Sequence, residues 1–138
     1  MADPNATTKH VMVVNDTQEI LELFRDILEG MGHEVTVTSY APDELTEIID
    51  AAPDLVILDL IMGGEKLGWQ LAQKLRMSRD TEAIPIIICT AANEDVREQE
   101  GWLTAQAIKV VLKPFTVDQL EAAVTKALAM PELTTADS

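Results

Sequence analysis

A single cysteine, few aromatics and no long apolar run set the first limits on this 138-residue chain. Cys89 has no second thiol to pair with, so no internal disulfide can brace the fold; set in an apolar run, it reads as a small buried hydrophobe. No apolar stretch approaches the roughly 18 residues of a membrane span, and the polar start MADPNATTKH lacks the regions of a signal peptide. A cytosolic protein without membrane contact is expected. Positive charge is also scarce: 10 Lys plus Arg against 24 Asp plus Glu give a net charge of −14. That balance opposes the counterion release behind nucleic-acid binding, so no direct contact with nucleic acid is expected. Most of the acidic surplus is a solvated face that aids solubility.

What is present is a regular alternation of two patterns. Val11 to Val14, Leu55 to Leu58 and Ile84 to Ile88 are short, largely β-branched runs without polar alternation, which predicts strands covered on both faces. His33 to Thr38 alternates, with Val35 and Val37 facing one way, and Ile108 to Leu112 is interrupted by Lys109; both predict sheet edges. Between the strands the period turns helical. Ile20, Phe24, Ile27, Leu28 and Met31 share one face, with Asp16 and Glu19 spaced as a capping box and Gly30 and Gly32 closing the end. Leu45, Ile48, Ile49 and Ala52 mark a second helix ended by Pro53, and Leu71, Ala72 and Leu75 a third. Val117, Leu120, Val124 and Leu128 mark the last. Glu94 to Leu103 is a weaker helix, anchored by Val96 and Leu103 and interrupted by Gly101.

Five strands alternating with five helices predict an α/β fold with a doubly wound parallel sheet. Placing the alternating strands outermost gives the order 2-1-3-4-5, the flavodoxin-like arrangement, whose ligands bind at the carboxyl ends of the strands. The residues next in the chain after those strand ends are Asn15 and Asp16, Asp59, Thr90, and Lys113 with Pro114. Carboxylates gathered without arginine attract a hard cation, and two of them with a backbone oxygen and waters suit the octahedral shell of Mg²⁺. Metal, ammonium and hydroxyl can together neutralise a phosphoryl group in transfer, with Asp59 as the carboxylate nucleophile.

The stretches VMVVND, LVILDLIM, IPIIICTAA and VVLKPF resemble, in order and separation, the four signatures of response-regulator receiver domains in two-component signalling. The resemblance implies a receiver over residues 9–129 between flexible tails at 1–8 and 130–138. It implies that Asp59 takes a phosphoryl group from a sensor histidine kinase or a phosphotransfer protein, and that Thr90 and Lys113 complete the catalytic set. Mg²⁺ would be held by Asp16, Asp59 and the backbone carbonyl of Ile61, with Asn15, in the place of a second acid, contacting it through water. A cis peptide before Pro114 is also implied. The output is expected to pass to a separate protein target, with no turnover of an external substrate.

Several positions depart from the family pattern. Asn15 is neutral where an acid is usual, which implies weaker Mg²⁺ binding. Gly63 stands in the place of a proline, and Gly68 arrives one residue late, which predicts a longer, more mobile loop from Met62 to Gly68. Val110 occupies the place of a switching aromatic, so the output is expected to run through Thr90 and the weak helix after it. These departures favour one alternative, a degenerate receiver acting as a phosphorylation-independent binding module. An aspartate-nucleophile phosphatase of the haloacid-dehalogenase kind would carry a second Asp where this chain has Ile61. Nucleotide binding is disfavoured by a first turn, Asn15 to Gln18, with no glycine.

The remaining candidates have plainer readings. Asp16 can serve as a helix cap as well as a ligand. Trp69 and Trp102 are core fillers first and partner anchors second. His10 and His33, with no second His or Cys at ligand spacing, read as surface residues.

Overall fold

The computed structural model describes residues 9–38, 46–59, 67–91, 93–98 and 100–129. Its five strands are β1 (His10–Val14), β2 (Glu34–Thr38), β3 (Leu55–Leu58), β4 (Ile86–Thr90) and β5 (Lys109–Leu112). They form one parallel sheet in the order β2-β1-β3-β4-β5. The helices are α1 (Gln18–Gly30), α2 (Thr46–Ala51), α3 (Leu67–Met77), α4 (Asn93–Glu98), α5 (Glu100–Ala105) and α6 (Val117–Ala129).

Side chains alternate across a strand, and the two faces feed two separate cores. Val11, Val13, Leu55, Ile57, Ile87, Cys89 and Val111 pack against Leu21, Phe24 and Leu28 of α1 and Leu120, Val124 and Ala127 of α6. Met12, Val14, Val56, Leu58, Ile86 and Ile88 face the other way, onto Ile48 of α2, Leu71 and Leu75 of α3 and Leu103 of α5. Because helices cover both faces, β3 and β4 are buried along their full length. On the edge strand β2, Val35 and Val37 both pack against the first core, as their alternation predicts.

Two expectations from sequence are corrected. The segment after β4 is two short helices flanking residue 99, so six helices are described where five are expected, and Gly101 sits inside α5. The capping box lies on α6, where Gln119 N–H donates to Thr116 Oγ1 at 3.1 Å and Thr116 N–H donates to Gln119 Oε1 at 2.8 Å. At α1 the N-cap is Thr17, with no side-chain cap. The far end of α1 closes as a Schellman motif: Gly32, at φ 93°, donates to the Glu29 carbonyl, and His33 N–H to that of Leu28.

The end of α5 repeats this pattern with Ala107 at φ 57°, its N–H bonded to Thr104 and that of Ile108 to Leu103. A β-carbon in the left-handed region costs about 1–2 kcal/mol, which glycine avoids. Ala107→Gly is therefore expected to stabilise the fold by about 1 kcal/mol, less any added entropy of the unfolded chain. Urea unfolding measures it, and a lower midpoint at unchanged slope would contradict it.

Leu45, Ile61, Met62 and Gly63, with both tails, lie outside the described residues.

Candidate functional site

The parallel order brings the carboxyl ends of β1, β3, β4 and β5 together, and the backbone fixes the first residue beyond two of them. Asp59 N–H donates to the Val14 carbonyl at 3.3 Å, and Lys113 N–H to the Thr90 carbonyl at 2.9 Å. Asp59 and Lys113 are thus each hydrogen-bonded to the neighbouring strand as the chain leaves the sheet. The Lys113–Pro114 bond is cis.

Lys113 Nζ lies 2.9 Å from Asp59 Oδ2. Their side chains are 27% and 14% exposed, so the pair sits at the mouth of a recess, wet enough for a ligand to reach. The same Oδ2 faces Asn15 Nδ2 at 3.5 Å. Asn15 Oδ1 accepts from Thr17 N–H at 2.9 Å, an Asx turn joining β1 to α1. Asp16 is exposed beside it, within 3.4 Å of the Thr17 hydroxyl. Thr90 is buried at the end of β4. Of the residues singled out in the sequence, Asn15, Asp59 and Lys113 touch through side chains, and Ile61 falls outside the described residues.

Among the described residues no three His, Cys, Asp or Glu side chains group as a metal cluster. The two carboxylates here are hard oxygen donors, with no imidazole or thiolate among them. Burial pushes the neighbouring Cys89 thiol up to about 12, with Lys113 pulling it down and Asp59 up. It stays protonated and inert at neutral pH. His10 and His33 are not free surface residues: both are half-buried at the amino ends of the strands, His10 Nε2 paired with Thr36 Oγ1 at 2.6 Å.

One contact has no sequence signal. Trp69, in the first turn of α3, and Trp102, in α5, meet edge to face with ring centroids 4.8 Å apart and planes at 69°. Both are half-buried against the core that also holds Val96 and Val110. Their separation along the chain gives no periodicity from which the contact could be read.

A parallel 2-1-3-4-5 sheet with Asp59 and Lys113 paired at its carboxyl edge defines a receiver-type signalling module. The family model for the response regulator receiver domain matches residues 11–125. The chain belongs to that family, the receivers of two-component response regulators. It is 34% identical over 125 residues to the phosphate regulon transcriptional regulatory protein PhoB of Rhizobium meliloti, covering 89% of this chain and 54% of that protein. It thus spans about half the length of that relative. The polar-differentiation response regulator DivK of Brucella ovis is 27% identical over 117 residues, with 83% of this chain and 94% of DivK covered. Among solved structures, the response regulator TrrA of Thermotoga maritima in complex with Mg²⁺ and BeF superposes with a TM-score of 0.74 at 29% identity, over 87% of this chain and 99% of that one. No helix among the described residues is long and apolar enough to cross a membrane.

Proposed function

We propose that Asp59 accepts a phosphoryl group from a phosphohistidine on a sensor kinase or phosphotransfer protein, and that the phosphorylated chain acts on a protein target. The observation that carries this reading is the 2.9 Å contact between Asp59 and Lys113 at the carboxyl edge of the sheet. An Asp59 oxygen attacks phosphorus, the phosphorus–nitrogen bond of the donor breaks, and the leaving imidazole keeps its electron pair and takes a proton. Lys113 then pairs with the transferred phosphoryl oxygens, and the Thr90 hydroxyl donates to one of them.

The oxygen-only donors fit Mg²⁺. Asp16, Asp59 and the Ile61 carbonyl would hold the ion, and Asn15 Oδ1 retains a lone pair for one of its waters. When bound, it neutralises charge on the transferring oxygens.

The test is incubation with Mg²⁺ and acetyl phosphate followed by intact mass spectrometry. One phosphate adduct is expected, absent from Asp59→Asn. Failure to form it in the native chain would favour a phosphorylation-independent binding module, a reading that Asn15 and Val110 support.

With valine at position 110, the signal passes from Thr90 into α4 and α5, where Trp102 meets Trp69. Binding of Mg²⁺ and beryllium fluoride is expected to shift backbone amides from 94 to 111 and to change tryptophan fluorescence. Shifts confined to the pocket would sink this route.

A further inference from the structure

We propose that Asn15 is a positioning residue whose amide supplies part of the charge compensation that a divalent cation gives Asp59, so that the folded site holds its acceptor ready without the ion. This rests on Asp59 as the acceptor.

The two ends of an amide have the same shape and opposite chemistry, and here the backbone decides between them. Thr17 N–H, 2.9 Å away, can be met only by an acceptor, so Oδ1 takes that side. The NH₂ group is then turned toward Asp59 Oδ2, at 3.5 Å. Asn15 is 3% exposed, so water does little to blunt this orientation. The contact is long for a hydrogen bond, and it acts chiefly through the direction of the amide dipole. Lys113 Nζ approaches the same oxygen at 2.9 Å, so a full and a partial positive charge converge on it.

An aspartate at position 15 would keep the Asx turn, because a carboxylate oxygen also accepts from Thr17 N–H. Its second oxygen would occupy the place of Nδ2, 3.5 Å from Asp59 Oδ2. Like charges at that distance repel, and a bound cation relieves the repulsion. The native residue thus gives up attraction for the ion and gains a site that is electrostatically settled in its absence. Asn15→Asp changes only the end of the side chain facing Asp59, which separates this role from that of the turn.

Thermal unfolding of the full chain, in EDTA and in excess Mg²⁺, tests the proposal. The native midpoint is expected to move little between the two conditions. Asn15→Asp should unfold about 3–5 °C lower in EDTA and recover most of that in Mg²⁺. Its Mg²⁺ dissociation constant, by calorimetry, should tighten about tenfold as ligand charge rises. The side-chain amide resonances of Asn15 should also shift in Asp59→Asn. An Asn15→Asp variant as stable as the native chain in EDTA, with unchanged Mg²⁺ affinity, overturns the proposal. That result beside a normal phosphate adduct removes the role of the amide alone. The expected result without any adduct leaves the amide's role standing and removes the acceptor reading.

Discussion

Lys113→Ala is expected to slow phosphorylation of Asp59 by acetyl phosphate about 100-fold while leaving the fold nearly as stable as before. The two effects differ because the same ammonium acts in two settings. In the resting chain its pair with Asp59 is partly solvated, at 27% and 14% exposure, and a pair of that kind contributes about 1 kcal/mol or less. During transfer it faces charge developing on phosphoryl oxygens, where loss of one preorganised donor costs about 10²–10³ in rate. A mass-spectrometric time course measures the first quantity and urea unfolding the second. A variant phosphorylated at the native rate would remove Lys113 from the chemistry.

Phe24→Ala should cost about 3–5 kcal/mol, a large share of the roughly 5–15 kcal/mol that holds a domain folded. Phe24 is 2% exposed and sits between α1 and the sheet, its ring 6.1 Å from that of Phe115. The cavity left by truncation is hemmed by β1, β3 and α6 and has little room to collapse. Its chain neighbour Leu23, 47% exposed, is the control: Leu23→Ala should stay within about 0.5 kcal/mol of the native chain. Denaturant midpoints of the two variants decide it, and a loss below about 1 kcal/mol at Phe24 would contradict the packing described.

The strands were legible because burial on both faces leaves β3 and β4 as unbroken apolar runs, while exposure of one side writes alternation into β2. Strand order came from that contrast. The helix ends were less legible, because Asp16 and Glu19 have the spacing of a capping box and so do Thr116 and Gln119, and only the backbone path shows which pair closes. The break near residue 99 was misplaced at Gly101 because glycine marks a weak helix without marking where it divides. At the site, the chain positions of Asn15, Asp16, Asp59, Thr90 and Lys113 could be read from their places at the carboxyl ends of the apolar runs. The facing of the Asn15 amide could not, since it depends on a backbone N–H two residues on. The Trp69–Trp102 contact joins segments that carry no common pattern.

Arg76 of α3 reaches across this half of the molecule. Its Nε donates to the Gln106 carbonyl at 3.2 Å, and its Nη1 to those of Glu82 at 3.1 Å and Ile84 at 2.7 Å. Burial lowers its pKa to about 10, which still leaves it charged at neutral pH. The carboxyl end of α5 is thereby pinned to the chain entering β4, while the start of α4 adjoins Thr90. Movement begun at the threonine must then be a swing about a fixed hinge, widest near the phosphorylation pocket and dying away toward Gln106. A partner that distinguishes the two states would have to grip the swinging end.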